Sequence, residues 1–360
     1  MGNGKRVLAG LSGGVDSSLA ALLLKEQGYD VIGATMAIFD KSGPIGRAIG
    51  NACYDAHEKD DIEETKAIAA KIGIPFIVCD CVDDYKKLIL KYFREEYLAG
   101  RTPNPCVKCN YLMKFGILPE MVKKQGVNFD FFATGHYAQV EYSDEYEQYV
   151  LKKGIDPKKD QSYFLYRLSQ EQLSTIILPM GKFTKAETRK MAKERGLEVH
   201  DKPDSQDFYS GDYNDIIGEP EREGNIVDKE GNILGKHKGF WNYTLGQRKG
   251  LGIAFSEPLY VIGLNPKQNE VIAGIEENTF NKGCIVKDAS FILPIPQGGE
   301  KLQAKIRSSQ QPCEVIITKA TEKEFEIEFV NMQKAVAPGQ SCVLYKNDLV
   351  VGGGIISARI

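Results

Sequence analysis

At 360 residues, 42% hydrophobic and 26% charged, the chain has an ordinary globular composition and room for two or three separate cores. No apolar run approaches the about 20 residues of a membrane helix, Met1–Leu11 has no signal-peptide hydrophobic region, and Arg6 stands where a myristoylation signal has Ser or Thr, so a cytoplasmic location and no membrane partner are expected. A net charge of −3 excludes a broadly basic nucleic-acid-binding surface and confines any RNA contact to a local patch.

The first ~200 residues alternate strand-like and helix-like segments, the pattern of a parallel sheet covered on both faces. Arg6–Leu11 reads as a strand ending in a Gly-rich turn, and Asp16–Gln27 as a helix with an apolar face of Leu19, Leu22, Leu23 and Leu24. Val31–Phe39 is a second strand, Asp60–Ile72 a helix, Pro75–Cys81 a strand, Tyr85–Tyr97 a helix, and Phe129–Ala133 a strand that runs into Thr134-Gly135-His136. Lys182–Gly196 reads as the last helix of this half, with Thr184 as N-cap and Glu187 as its capping-box partner. His200–Tyr213 is polar and aperiodic, which suits a functional loop or linker. From about Gly224 the texture becomes all-β. Leu259–Leu264, Glu270–Ala273, Lys301–Ile306, Glu314–Thr318 and Glu324–Phe329 are short alternating runs between Gly, Pro and Asn, as in a small domain followed by a barrel or sandwich.

The decisive motif is Gly10-Leu11-Ser12-Gly13-Gly14-Val15-Asp16-Ser17-Ser18, between the first strand and the first helix. Its glycines let several N–H groups turn onto one anion, and the helix that follows adds its positive end. It lacks the Gly-Lys-Ser/Thr of a Walker A loop and the glycine spacing of a dinucleotide fingerprint. Ser-Gly-Gly-x-Asp-Ser in this place resembles the PP-loop ATP pyrophosphatases, which split ATP between the α and β phosphates and leave AMP on a substrate carbonyl oxygen. By its position Asp16 is a candidate Mg²⁺ ligand, since a hard cation prefers carboxylate and phosphate oxygens, or else a helix N-cap.

Four further segments carry the resemblance to one family: Gly100-Arg101-Thr102-Pro103-Asn104-Pro105 with Cys109-Asn110; Ala133-Thr134-Gly135-His136-Tyr137; Lys159-Asp160-Gln161-Ser162-Tyr163-Phe164-Leu165; and Tyr243-Thr244-Leu245-Gly246-Gln247-Arg248-Lys249-Gly250-Leu251-Gly252. With Ala337-Pro338-Gly339-Gln340-Ser341 and Gly352-Gly353-Gly354 they span the chain in order, and together they resemble the tRNA-specific 2-thiouridylase family (MnmA or TrmU). The resemblance implies an α/β fold: an N-terminal doubly wound parallel-sheet PP-loop domain (1–205), a small central tRNA-contacting domain (206–285) and a C-terminal β-barrel (286–360). It implies an ATP site at Gly10, Leu11, Ser12, Gly13, Gly14, Val15, Asp16 and Ser17 with Met36 and Gly135. It further implies target-base contacts at Asn104, Pro105 and position 106, and tRNA contacts at His136, Lys159, Asp160, Gln161, Arg307 and Gln340. The family usually has Arg-Tyr at the position of Arg307-Ser308, so Ser308 is a local departure. Lys159 and Arg307 are chemically suited to phosphates, whereas His136 and Tyr243–Gly252 read alone as structural features.

The eight cysteines are spread through the chain, which suits thiols rather than a disulfide scaffold. The family has one sulfur-handling cysteine that matches Cys109 and a second in the loop after Asp-Ser. Here that loop reads Asp204-Ser205-Gln206-Asp207-Phe208-Tyr209, with Tyr209 at or near the expected thiol, while Cys106 replaces the usual Asp, the proposed acid/base residue. A phenol with a pKa of ~10 does not carry a persulfide. Three accounts stand open: Cys106 and Cys109 as a persulfide/disulfide pair, the same pair as iron–sulfur ligands with Cys53 as third ligand, or an inert pair in a decayed tRNA-binding paralogue. Cys79 and Cys81 read as strand-bound core residues, and Cys284, Cys313 and Cys342 as small buried hydrophobes. The expected reaction is ATP-dependent 2-thiolation of the wobble uridine through an adenylated base, with ATP and Mg²⁺ as cofactors and tRNA and a persulfide or sulfide donor protein as partners. A PP-loop ligase for another carbonyl substrate is the alternative within enzymes.

Overall fold

The computed structural model describes residues 4–40, 52–202 and 208–360. These form two compact units that do not follow chain order: 4–89 with 105–212 and 348–350, and 90–104 with 213–347 and 351–360.

The first unit is built on a five-stranded sheet of β1 (Arg6–Gly10), β2 (Asp30–Ala37), β3 (Phe76–Asp80), β4 (Phe131–Ala133) and β7 (Ile176–Ile177), in the order β3-β2-β1-β4-β7. Every pairing is parallel. Val7, Leu8 and Ala9 are buried, as a strand covered on both faces requires. α1 (Val15–Glu26) packs Val15, Leu19, Ala20 and Leu24 into the same core, and α2 (Glu58–Ile72) adds Ala69 and Ile72. The strand order reverses at β1, whose neighbours are β2 and β4, so the carboxyl end of β1 is the switch point where open α/β sheets bind ligands.

The sequence located β1 to β4, α1 and α2 to within a few residues and missed the short edge strand β7. The expected Tyr85–Tyr97 helix is a helical run from Val82 to Leu98 whose middle, Lys86–Leu90, winds as π-helix. A second run, Pro105–Lys108, Cys109–Ile117 and Leu118–Lys124, was not anticipated, nor was the hairpin of β5 (Ala138–Ser143) and β6 (Gln148–Lys153). α3 (Lys185–Glu194) starts where expected, with Thr184 and Glu187 forming the reciprocal capping box.

The second unit contains a four-stranded sheet of β8 (Gly224–Val227), β9 (Ile233–His237), β10 (Tyr260–Asn265) and β11 (Glu270–Gly274) in the order β10-β11-β8-β9. After it β12 (Phe280–Phe291), β13 (Lys301–Lys305), β14 (Cys313–Ala320), β15 (Glu324–Lys334), β16 (Ser341–Lys346) and β17 (Leu349–Arg359) run in the order β12-β15-β14-β13-β16-β17, and a β12–β17 pairing closes the six strands into a barrel. Closure leaves no free edge among these strands. Among the described residues no helix is long and apolar enough to cross a membrane.

Candidate active site

The loop at the carboxyl end of β1 is held from within. Leu11 N–H donates to the Ala34 carbonyl (2.8 Å), and Ser12 N–H donates to the Ser17 hydroxyl (3.2 Å). The Ser17 and Ser18 hydroxyls donate back to the Gly14 carbonyl (3.4 and 2.7 Å), so both shape the turn. Gly13 has φ +71°, and a Cβ there would lie 2.7 Å from Thr65 Oγ1. Glycine is therefore required twice over, for its conformation and for the approach of α2. Gly135 meets a similar constraint: its Cβ would fall 2.6 Å from Ser17 N and 2.7 Å from Asp16 C. Met36 lies on β2, two residues beyond the Gly10–Ala34 pair and partly buried.

Asp16, in the first turn of α1, is clamped. Lys185 Nζ reaches Oδ1 and Oδ2 at 2.7 and 2.8 Å, and Tyr137 Oη donates to Oδ1 at 2.8 Å. Both oxygens expected to help hold Mg²⁺ thus face an ammonium, and this arrangement does not fit a divalent ion at Asp16. A second cation, Lys202, pairs with Asp61 (3.3 Å) and Glu64 (2.9 Å) of α2, with Nζ 3.9 Å from where a Gly13 Cβ would lie.

The segment 159–161 is tied into the fold by the side chains that resemblance assigns to tRNA. Asp160 Oδ1 accepts from Gly154 N and Ser162 N (both 3.1 Å), and Oδ2 from the Ser162 hydroxyl (3.0 Å). Gln161 Oε1 accepts from Tyr137 N (2.9 Å), and Gln161 N donates to the Tyr137 carbonyl (2.9 Å). Lys159 N–H donates to the Asp156 carbonyl (3.0 Å), and the residue is partly buried. His136 Nδ1 lies 2.7 Å from Thr134 Oγ1, and its ring packs on Phe115. Burial, with the Lys114 ammonium adding to it, lowers the His136 pKa to about 3. The ring is neutral at physiological pH and hydrogen-bonds rather than pairs with phosphate.

Pro105, buried, opens the helical run that carries both thiols, and proline suits this first-turn position because its missing N–H has no helical partner. Cys106 and Cys109, three residues apart, are helix neighbours. Each is partly exposed. Burial raises the Cys109 pKa to about 11 against the opposing pull of Lys114, and the negative charge Cys53 can carry adds to the rise. Cys53 is exposed and precedes Tyr54, whose ring stacks on Tyr85 (5.4 Å, 9°) and lies 6.3 Å from that of Tyr209. Tyr54 N–H donates to the Phe208 carbonyl (2.8 Å). The segment holding Cys53 is therefore laced to the Phe208–Tyr209 stretch, where Tyr209, 1% exposed, is an aromatic core residue. Residues 204–207 of that loop lie outside the described residues. Among the described residues no three His, Cys, Asp or Glu side chains form a set able to hold a metal ion, so the thiols as placed do not fit an iron–sulfur cluster. Cys79, Cys81, Cys284 and Cys342 are buried, and Cys313 is partly exposed with its thiol on the Ala304 carbonyl.

In the second unit, Gln340 Nε2 donates to the carbonyls of Thr102 (3.2 Å) and Pro103 (3.1 Å), and Thr102 N–H donates to the Pro338 carbonyl (2.8 Å). Gly339 has φ +95°, and a Cβ there would sit 2.8 Å from Thr102 N and O. The Ala337–Ser341 motif is thus a clamp on the stretch that ends at the partly buried Asn104. Arg307 Nη2 donates to the carbonyls of Leu245 (3.2 Å) and Ala335 (3.1 Å), which links the Tyr243–Gly252 motif to the barrel. Sequence reasoning passed over Lys185, Tyr137, Thr188, Lys114 and Lys202. Of these, Tyr137 closes a segment that carries the resemblance, and Lys185 follows a capping residue; neither was given a role in advance.

Three family descriptions match consecutive parts of the chain: the tRNA methyl transferase HUP domain at residues 5–209, the tRNA methyl transferase PRC-barrel domain at 215–274 and the aminomethyltransferase beta-barrel domain at 281–356. The tRNA-specific 2-thiouridylase MnmA of Endomicrobium trichonymphae is 49% identical over 355 residues, 98% of each chain. The chain belongs to the tRNA-specific 2-thiouridylase family. A 2-thiouridylase of Clostridium botulinum (Loch Maree) is 45% identical, with 98% of this chain and 99% of that one covered, and that of Clostridioides difficile (strain 630) is 44% identical over 99% of each. By the three family matches the parallel-sheet domain, small central domain and closed barrel follow one another along the chain.

Proposed function

We propose that this chain is an ATP-dependent tRNA-uridine 2-sulfurtransferase acting on the wobble uridine, with Cys109 and Cys106 handling sulfur. Near-full-length identity to 2-thiouridylases is the observation that carries the reading. It is supported by a loop of turned N–H groups and a helix N-terminus at the switch point of the sheet. In the first step the uridine 2-oxygen attacks the α-phosphate of ATP and pyrophosphate leaves, so the base carries AMP. Catalysis of such a transfer is chiefly positioning and charge stabilisation. The target base leaves its stack to reach the site, and Asn104 and Pro105 lie on the stretch that would meet it.

In the second step Cys109 carries a persulfide from a donor protein. Its outer sulfur attacks C2 and AMP leaves, giving a Cys109–S–S–C2 linkage. Cys106 then attacks the Cys109 sulfur. The thiouridine departs with its sulfur at the sulfide level, the two thiols are left as a disulfide, and an external dithiol reduces it. Magnesium would enter with the ATP phosphates, and no step here depends on Asp16 as its ligand.

The test is anaerobic incubation of purified protein with ATP, unmodified tRNA and a persulfide donor, followed by nucleoside mass spectrometry. Wild type should form 2-thiouridine with one AMP per turnover, Cys109→Ala none, and Cys106→Ala at most a single turnover that leaves tRNA attached through sulfur. Pyrophosphate release indifferent to tRNA would point instead to a ligase for another carbonyl substrate. A tRNA-binding protein that makes neither AMP nor thiouridine would be a decayed paralogue. An absorption band near 400 nm, lost in Cys109→Ala, would replace the dithiol account with a cluster.

A further inference from the structure

The pairing of Asp16 with Lys185 brings two helix N-termini together. α1 begins at Val15 and α3 at Lys185, and their first turns meet through one partly buried ion pair. Lys185 is 9% exposed, its backbone N–H donates to Asp156 Oδ2 (2.9 Å), and its ammonium lies 5.8 Å from the centroid of the Tyr137 ring. Tyr137 Oη, which donates to Asp16, also lies 3.0 Å from the hydroxyl of Thr188, a fully buried residue one turn along α3. Gly135 approaches the same turn so closely that a Cβ there would fall 2.6 Å from Ser17 N and 3.0 Å from Asp16 Cβ. No other charged side chain has a hydrogen bond or ion pair with Asp16 among the described contacts.

A partly buried carboxylate held by an ammonium and a phenol is an anchor. Its charge is cancelled by Lys185, while the positive ends of both helices remain, so the region stays attractive to an anion. We propose that Lys185 is a positioning residue of the phosphate loop. It fixes Asp16, and through it the first turn of α1, where the loop amides face the pyrophosphate half of ATP, and Asp16 serves as this anchor and not as a magnesium ligand. The proposal rests on the reading of this loop as the ATP site.

The experiment compares wild type with Lys185→Met, Lys185→Arg, Asp16→Asn and the Asp16→Asn/Lys185→Met double variant. It measures ATP binding by calorimetry and the KM, kcat and magnesium half-saturation of tRNA-dependent AMP formation. Lys185→Met should raise Kd and KM for ATP at least tenfold with kcat within threefold, and Lys185→Arg should recover most of that loss. Because the two residues act as one unit, the double variant should bind ATP as weakly as the weaker single variant and no more weakly. Asp16→Asn should leave magnesium half-saturation within twofold of wild type. If Lys185→Met fails to fold, the double variant, which strands no buried charge, carries the binding test. Wild-type ATP affinity in Lys185→Met or in the double variant would overturn the role of Lys185 alone. A tenfold rise in magnesium half-saturation for Asp16→Asn but not for Lys185→Met would overturn the anchor in favour of a metal ligand. A wild-type protein that binds no ATP would overturn the ATP reading and the proposal together.

Discussion

Cys109 shows how far a residue's chemistry can sit from the task proposed for it. The thiolate is the nucleophile in sulfur chemistry, yet burial places this thiol at about 11, so at pH 7.5 only about one molecule in three thousand is ionised. Lys114 opposes the shift without cancelling it. Iodoacetamide labelling of Cys109 in the free protein should therefore climb about tenfold per pH unit from pH 7 to 10 and level off near 11, followed by peptide mass spectrometry. A plateau near pH 8.5 would show that burial does not govern this thiol. Lys114→Met should move the plateau higher, since one lowering charge is gone. The Cys-x-x-Cys spacing and the odd Tyr209 were legible in the sequence. What burial does to Cys109, and the lacing of Cys53 to residue 208, depend on segments over 50 residues apart and were not.

At the scale of elements, legibility followed the strength of local signals. Thr184-Lys185-Ala186-Glu187 is a capping box in sequence and in structure. The β5–β6 hairpin was hidden because its turn places Glu147 at φ 52°, where the usual signal is Gly or Asn. The helical run from Pro105 to Lys124 contains Gly116 and Pro119, residue types that disfavour a helix interior, yet Pro119 sits in the first turn of its last segment, where proline is tolerated. β17 was masked by Gly352–Gly354. There a Gly352 Cβ would lie 2.4 Å from the Ser290 carbonyl oxygen, so the glycines serve the close crossing of β12. Gly339 makes the same kind of demand on Thr102. Gly339→Ala is expected to cost about 1–3 kcal/mol in a urea titration, from its left-handed φ and the clash together. It should also lower thiolation more than it lowers ATP affinity. Equal losses in both would argue against a local clamp.

For the whole molecule, the class of each half was readable from periodicity, while the division into units was not, because residues 90–104 join the C-terminal half. A net charge of −3 means that tRNA affinity must come from few ionic contacts. Lys159→Ala should reduce the slope of log K against log salt by about one. Gln340→Ala should weaken tRNA binding with the slope unchanged, since an uncharged amide that holds Thr102 and Pro103 releases no counterions. Filter binding across a salt series checks both, and a slope change in Gln340→Ala would mean that its role is not confined to this clamp.

The tie between Gln340 and Pro103 spans 237 positions of chain. A protein made from its N-terminus outward holds its phosphate loop and both candidate thiols long before Pro338 and Gln340 exist to grip the stretch that leads to Asn104. Lys153 likewise awaits Asp348, whose carbonyl accepts its N–H at 2.8 Å. A nascent or prematurely terminated copy therefore carries the residues proposed for ATP without a finished grip on the stretch that leads to Asn104, and the arrival of Pro338 and Gln340 decides whether the earlier part becomes a working enzyme. Ribosomal stalling or a late stop codon should thus leave inert fragments rather than partial modifiers.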